Sequence, residues 1–202
     1  MHFLLTNYTT MLDKIIEWDK ELFLFLNGMH SDWLNPIMLF LSSYLCWILA
    51  CLVMLAIIFL KSHSWKKLAS LSFLITVGVS AIITNIIKII IGRPRPIHNA
   101  DWQDLLNALE GTADTSYSFF SSHSATTFSM AVFFALITRK IQLSRFYGYA
   151  AIIWATTVAY SRIYVAKHFP LDVFCGILFG IGMGIIGYEL LQRYIRSKSD
   201  KL

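Results

Sequence analysis

Long apolar stretches separated by short polar segments dominate this sequence. Five of the stretches contain no Asp, Glu, Lys or Arg: 33–60, 68–87, 115–138, 146–161 and 173–188. A helix of roughly 20 apolar residues crosses a bilayer, and a shorter one suffices when long side chains at its ends reach the interface. The pattern therefore predicts an all-α protein, a polytopic membrane helical bundle with five transmembrane helices.

The first 30 residues follow a different pattern. Apolar residues recur at helical spacing with charged residues between them, which is typical of a helix that lies in the membrane interface. The segment lacks the basic start and the unbroken apolar run of a cleaved signal peptide. We therefore predict an amphipathic interfacial helix within residues 1–30 and a single membrane domain over 31–202. The apolar positions behind this prediction are Leu12, Ile15, Ile16, Leu22, Phe23 and Leu26.

Composition and charge agree with a membrane protein and give it an orientation. Hydrophobic residues make up 56% of the chain and charged residues 14%, a balance that is unusual for a water-soluble domain. The loops 61–67 and 139–145 and the tail, which lie on one side of the membrane in this topology, carry ten basic residues and two acidic ones. The segments on the other side have a net charge of −3. The positive-inside rule then predicts a multi-pass inner-membrane protein with a cytoplasmic C-terminus. The net charge of +5 reflects this topology and gives no reason to expect a nucleic-acid partner.

Three basic residues fall at helix ends on the predicted outer side, where the positive-inside rule disfavours them. Lys88, Arg95 and Arg162 supply two planar guanidinium groups and one ammonium group. Such a set suits a tetrahedral oxyanion, above all phosphate. Arg93 lies between two of them in the sequence, and we assign it to the interface, where basic side chains commonly extend toward water.

Two histidines accompany these cations on the same side. The segment Ser121-Ser122-His123 begins a predicted helix, so one serine caps the helix and its first N–H groups attract an anion. His123 is a candidate general acid there, with a satisfied interfacial histidine as the alternative. His168 and Asp172 are four residues apart, which on a helix places both on nearly one face. The carboxylate would then orient one imidazole nitrogen and leave the other for nucleophilic attack.

The cysteines give no sign of a metal site or a disulfide. Cys46, Cys51 and Cys175 all lie inside apolar stretches, and none has the spacing of a metal ligand pair. We therefore predict neither a metal nor another cofactor.

Glycines recur every four residues in the last apolar stretch, at Gly176, Gly180 and Gly184. Small residues at this spacing let another membrane helix approach closely. We favour packing within the chain over a dimer contact, because this helix has to bring His168 to the other motifs. The oligomeric state is left open.

The polar residues together resemble the signature of the type-2 phosphatidic acid phosphatase superfamily, which includes vanadium haloperoxidases and bacterial acid phosphatases. The resemblance covers three motifs: Lys88, six residues, Arg95-Pro96; then Phe120-Ser121-Ser122-His123; then Ser161-Arg162, five residues, His168, three residues, Asp172. The second motif departs from the usual Pro-Ser-Gly-His at Phe120 and Ser122.

This resemblance implies a metal-independent lipid phosphatase that works through a phosphohistidine at the outer face of the membrane. In that scheme His168 is the nucleophile, His123 protonates the leaving oxygen, and Asp172 orients His168. The phosphate would be held by Lys88, Arg95, Ser121, Ser122 and Arg162.

The implied partners are the bilayer and a membrane lipid phosphate. Among resembling families of this size, undecaprenyl diphosphate phosphatases come first, followed by lipid A and phosphatidylglycerophosphate phosphatases. We expect the segment 97–121 to form a cap over the site and to set specificity. A lipid phosphotransferase would use the same phosphohistidine and stays open as an alternative. A non-catalytic transporter or scaffold would have no need of the His–Asp pair.

Overall fold

The computed structural model describes residues 11–102, 105–111 and 116–199. Within these ranges the chain forms helices, turns and loops and has no strand, which confirms the predicted all-α class. Short 3-10 turns lie at His63–Trp65, Pro96–His98 and Ala100–Trp102. The α-helices of this part of the chain are α1 (Met11–Gly28), α2 (Asn35–Ser42), α3 (Tyr44–Lys61), α4 (Lys66–Ile91), α5 (Ser122–Lys140), α6 (Arg145–Tyr164) and α7 (Pro170–Ser199).

Helix α5 lies at the centre of the bundle. It packs mainly against α7 and α6 and also contacts α4 and α3. Phe133 and Ile137 along it are fully buried, and so are several of its Ser and Thr residues. The hydroxyl groups are satisfied within the helix, as when Thr127 donates to the carbonyl oxygen of His123 at 2.7 Å. A helix rich in hydroxyl groups is therefore stable in an apolar interior.

Three segments in the described part of the chain are long and apolar enough to cross a membrane. They are Tyr44–Lys61, His63–Trp102, which contains α4, and Pro170–Ser199. Large apolar side chains such as Ile82 and Ile89 are exposed on the outer faces of these segments, which suits contact with lipid. Helices α5 and α6 are not in this group. The structure thus has the apolar helices of an integral membrane protein, while the count of five spans stays a prediction.

The first predicted span is interrupted. Ser43 between α2 and α3 has an extended backbone with φ −76° and ψ 152°, and its hydroxyl accepts a hydrogen bond from the N–H of Cys46 at 3.2 Å. A serine in this conformation caps a new helix and separates it from the preceding one. The apolar stretch 33–60 is therefore divided between two helices. The break brings Ser42 and Tyr44 to the wall of the cavity described below.

Helix α1 confirms that a helix lies near the start of the chain, and residues 1–10 of the predicted interfacial segment lie outside the described residues. Phe23 on α1 is fully buried, whereas Leu22 is exposed. Asn27 near its end donates to the carbonyl oxygen of Tyr164 at 2.8 Å. Helix α1 is therefore fixed to the end of α6, and its position in the membrane interface stays a prediction.

The glycines of α7 allow this helix to lie directly against α5. A Cβ atom at Gly176 would stand 2.7 Å from the carbonyl oxygen of Ser121. One at Gly180 would overlap the carbonyl group of Ala125, and Gly184 is similarly tight. The predicted close-packing face is confirmed, and its partner helix belongs to the same chain.

Replacing Gly180 by alanine is expected to destabilise the bundle. The added methyl group would push α7 away from the carbonyl of Ala125, and overpacking of this kind typically costs about 1–3 kcal/mol. Gly182→Ala is the matched control, because a Cβ there meets nothing within 4 Å. Thermal melting in detergent micelles should show a lower midpoint for Gly180→Ala than for Gly182→Ala. Equal midpoints would contradict the described packing of α7 on α5.

Candidate active site

The three motifs meet at one end of the bundle, where α4 and α6 finish and α5 and α7 begin. A cavity of about 890 Å³ lies at this end. Six of the eight predicted site residues line it, whereas Ser121 and Asp172 are buried and are not part of the lining. Its lining includes Leu39, Ser42, Tyr44, Trp47, Ala81, Lys88, Arg95, Glu110, Ser116, Ser122, His123, Arg162 and His168.

Lys88 and Arg95 bind the backbone just before α5. The ammonium group of Lys88 donates to the carbonyl oxygen of Tyr117 at 2.8 Å. Arg95 donates to the carbonyl oxygen and the hydroxyl of Ser116, at 2.9 and 2.6 Å, and to the carbonyl oxygen of Lys167 at 3.2 Å. Both side chains are buried. These bonds fix the two cations in the cavity wall.

Arg162 and Lys167 share an acidic partner, Glu110. The Nη1 atom of Arg162 lies 3.3 Å from Glu110 Oε1, and the Nζ atom of Lys167 lies 3.8 Å from Oε2. The same Nη1 donates to the carbonyl oxygen of Ser42 at 2.9 Å and to its hydroxyl, which also donates to Glu110. A carboxylate thus lies in the cationic wall, where an incoming anion competes with it for Arg162.

The turn between α6 and α7 brings His168 back beside Arg162. Ala166 has a left-handed backbone with φ 60°. The N–H groups of Lys167 and His168 both donate to the carbonyl oxygen of Arg162, at 3.0 and 3.1 Å. Helices often end in a reversal of this kind. The five residues between Arg162 and His168 in the third motif span this reversal of the chain.

The two ring nitrogens of His168 have different surroundings. Nε2 lies 3.5 Å from Nη1 of Arg95 at the cavity, whereas Nδ1 lies 3.3 Å from Ser118 Oγ. A guanidinium group only donates, so we assign the lone pair to Nε2 and the hydrogen to Nδ1. Ser118 donates to Asp172 Oδ2 at 2.5 Å and accepts from Nδ1. The nitrogen with the lone pair is therefore the one at the cavity.

Asp172 lies close to His168, but the two do not share a helical face. Helix α7 begins at Pro170, because the residue before a proline is kept out of the helical conformation, so His168 precedes the helix. Asp172 Oδ2 is 3.7 Å from His168 Nδ1 and accepts from the N–H of Phe169 at 3.0 Å. The expectation of a shared face is wrong, and Ser118 joins the two side chains instead.

Arg93, which we expected to extend toward water at the interface, belongs to this site. Its Nη1 atom is 2.6 Å from Asp172 Oδ1, and its Nη2 atom is 2.7 Å from Asp19 Oδ2. The guanidinium carbon also lies 4.1 Å from the ring centroid of Phe169. The interface assignment is wrong, because two buried carboxylates bind this side chain.

Ser121 caps α5, as one of the two serines was predicted to do. Its hydroxyl accepts from the backbone N–H of Ser124 at 3.3 Å, and its own N–H donates to the carbonyl oxygen of Asp172 at 3.0 Å. Ser122 is the first residue of α5 and is not among the described residues with positive φ. Serine is therefore compatible with the backbone at the position where the resembling family has glycine.

The described residues contain no group of three His, Cys, Asp or Glu side chains that could hold a metal ion. Cys46 and Cys51 are buried as free thiols, and Cys175 is partly buried. The positive charges in the cavity lining are those of Lys88, Arg95 and Arg162.

Comparisons with known proteins agree with this geometry. The PAP2 superfamily profile matches residues 69–196, which contain all three motifs. The chain belongs to the PAP2 superfamily. It is 29% identical to a lipid A 4'-phosphatase of Porphyromonas gingivalis over 93% of this chain and 78% of that protein. It is 28% identical to an undecaprenyl-diphosphatase of Sulfolobus acidocaldarius over 88% of this chain and 81% of that protein.

The fold is also that of a solved PAP2 structure. The crystal structure of a transmembrane PAP2-type phosphatidylglycerolphosphate phosphatase from Bacillus subtilis matches with a TM-score of 0.71 at 18% identity. The match covers 90% of this chain and 88% of that one. The resemblance seen in the three motifs is confirmed, and the chain is a phosphatase of the PAP2 superfamily.

This PAP2 site contains residues that the motifs did not reveal. Ser118 and Glu110 reach it from irregular segments and Ser42 from the last position of α2, so no periodic pattern in the sequence indicates them. Asp19 did leave a signal, because it stands four positions before Phe23 on the apolar stripe of α1. A charge on such a stripe indicates a buried partner.

His168 is expected to stay neutral at a pH where an ordinary histidine begins to protonate. Burial, and then the positive charges of Lys88, Arg95 and Arg162, hold its pKa well below 6.5. A lowered pKa means that the imidazolium forms only at more acidic pH, so the lone pair persists between about pH 8 and 6.5. Ring 15N shifts of histidine-labelled protein in micelles, assigned with His168→Gln, should show no titration in this interval. A midpoint at or above 6.5 would contradict this electrostatic environment.

Proposed function

We propose that this protein is a metal-independent lipid phosphate phosphatase that works through a phosphohistidine on His168. The observation that carries the proposal is the position of Nε2, the nitrogen with the lone pair, at a cavity lined by Lys88, Arg95 and Arg162. A phosphate bound to these cations presents its phosphorus to that nitrogen. Phosphoryl transfer depends mainly on such positioning and on stabilisation of the phosphate charge.

The reaction has two steps. The Nε2 lone pair of His168 bonds to phosphorus while the bond from phosphorus to the lipid oxygen breaks, and protonated His123 gives its proton to that oxygen. Water then attacks the phosphorus while the bond from phosphorus to Nε2 breaks and returns its electron pair to the ring; His123 takes a proton from the water, and phosphate leaves. Asp172, acting through Ser118, stabilises the positive charge that the ring carries as a phosphohistidine. His123 lines the cavity with its ring against Tyr44, at a centroid distance of 5.1 Å.

Four other motif residues hold the phosphate oxygens: Lys88, Arg95, Ser122 and Arg162. Lys88 and the two motif arginines neutralise charge, and Ser122 offers its backbone N–H at the start of α5, where the helix dipole also favours an anion. Ser121 acts indirectly, because its cap sets the geometry of that helix start.

The cavity suits an amphiphile. Its cationic end continues into a wall that contains Leu39, Trp47 and Ala81. A phosphate headgroup fits the first part, and the start of a lipid chain fits the second. The exposed apolar faces of α3 and α4 support a substrate that arrives from the bilayer.

The proposal includes a topology. We count five spans: α2 with α3, and then α4, α5, α6 and α7, with α1 at the interface and the division near residue 30 as predicted. The charge distribution favours an active site on the periplasmic or extracellular face and a cytoplasmic C-terminus. We propose that the segment 97–121, whose residues 103–104 and 112–115 lie outside the described residues, caps the site, and the contacts of Glu110, Ser116 and Ser118 support this.

Two lipids come first as substrates. The similarity to an undecaprenyl-diphosphatase favours undecaprenyl diphosphate, and the similarity to a lipid A 4'-phosphatase along nearly the whole chain favours a phosphomonoester of lipid A. Phosphatidylglycerophosphate follows them. A lipid phosphotransferase is the alternative of another class, because a second lipid would then replace water in the second step.

Phosphate release by the purified protein in detergent tests the proposal. The panel contains the three lipids above, each with and without an acceptor lipid and with and without a chelator. We expect release from at least one lipid, loss of release in His168→Gln, and normal release in the control His63→Gln, whose imidazole is exposed beyond α3. Sealed spheroplasts should hydrolyse an added short-chain substrate without lysis.

Three results would contradict parts of this proposal. Release that stops when the chelator is added would refute the metal-independent scheme. Transfer to the acceptor lipid in place of release would favour the phosphotransferase. Hydrolysis by spheroplasts only after lysis would move the active site to the cytoplasmic face.

A further inference from the structure

A buried ion network links the N-terminal helix to the catalytic end of the bundle. Arg93 bridges Asp19 on α1 and Asp172 on α7, at 2.7 and 2.6 Å. The two carboxylate side chains are 4% and 0% exposed, and the arginine is 18% exposed. Neither Asp19 nor Arg93 is among the residues that line the cavity. Removing one member leaves another buried charge without its partner, so the three charges act as a unit.

Arg93 determines which oxygen of Asp172 faces the nucleophile. Its Nη1 atom binds Oδ1, and the other oxygen, Oδ2, is the one that accepts from Ser118 and from the N–H of Phe169. This same Oδ2 lies 3.7 Å from Nδ1 of His168. The guanidinium group also stacks on Phe169, the neighbour of His168 in the chain. Arg93 therefore restrains both the carboxylate and the backbone beside the imidazole.

Asp19 in turn fixes Arg93 and the first turn of α7. Its Oδ2 accepts from Arg93, and its Oδ1 accepts from the backbone N–H of Leu171 at 2.7 Å. The N–H of Leu171 has no acceptor within the helix, because it belongs to the first turn. A carboxylate is also favourable at this end of the helix dipole. One side chain of α1 thus holds both the guanidinium group and the backbone next to Asp172.

We propose that Asp19 and Arg93 are positioning residues for the phosphohistidine reaction and act on His168 through Asp172 and Ser118. The inference rests on the proposed function, and it makes α1 a part of the active site. Because the two residues act on the imidazole and touch no part of the phosphate-binding cavity, their loss should lower kcat. The KM and the inhibition constant of inorganic phosphate should change little.

Single and double substitutions test this inference, with kcat and KM measured on the best lipid of the panel. We expect Asp19→Asn, which keeps an oxygen for the N–H of Leu171, to lower kcat about tenfold. Arg93→Gln leaves two buried carboxylates without their shared cation and should lower kcat about a hundredfold. The double variant should be no slower than Arg93→Gln, because Asp19 acts through Arg93.

Arg93→Lys separates charge from geometry. An ammonium group keeps the positive charge but lacks the planar fork that reaches two carboxylates at once, so kcat should recover only in part. Glu17→Gln is the matched control on α1, because this acid is exposed, and it should leave kcat unchanged. Should Arg93→Gln fail to fold, Asp19→Asn and Arg93→Lys carry the test.

The outcomes separate this inference from the proposed function. A wild-type protein without activity on any lipid of the panel would refute the proposed function. An active wild type with the same kcat in Asp19→Asn and Glu17→Gln would refute only the positioning role. Losses that multiply in the double variant, or that raise KM in place of lowering kcat, would also refute it.

Discussion

The cost of burying charge in an apolar bundle determines how this active site is built. Lys88, Arg95 and Arg162 are only 4–7% exposed, and cations so deeply buried have to be met by oxygen atoms. The carbonyl groups of Ser116, Tyr117 and Ser42 and the carboxylate of Glu110 meet that need. The irregular parts of the chain are thus arranged around the cations of the cavity wall.

The same cost accounts for the acids behind the cavity. Asp172 and Asp19 are buried, and both bind Arg93. These three residues form a second group of charges, beside the group of cations in the cavity wall. The two groups meet at His168, whose Nε2 faces the cations and whose Nδ1 faces Ser118. One side of the imidazole is therefore suited to attack phosphate, and the other side is held by hydrogen bonds that fix its orientation.

Much of this arrangement could be predicted, because residues that are buried between helices recur at regular spacing in the sequence. Apolar periodicity predicted the helices, and glycines at four-residue spacing predicted the contact of α7 with α5. The partners of the buried charges could not be predicted in the same way. Ser118 and Glu110 lie in an irregular segment, and the break at Ser43 lies between two equally apolar stretches. The charge of Arg93 alone does not tell whether it faces water or an acid, and only the fold brings Asp19 to it.

The covalent intermediate is the most direct test of the central claim that His168 is the nucleophile. Protein mixed with a lipid substrate carrying 32P in its terminal phosphate is quenched in alkali within a fraction of a second, and the labelled peptide is identified by mass spectrometry. A phosphohistidine is stable in alkali and labile in acid, so we predict alkali-stable label on His168 and none in His168→Gln. Label on another residue, or turnover by His168→Ala at a rate near that of the wild type, would contradict the mechanism.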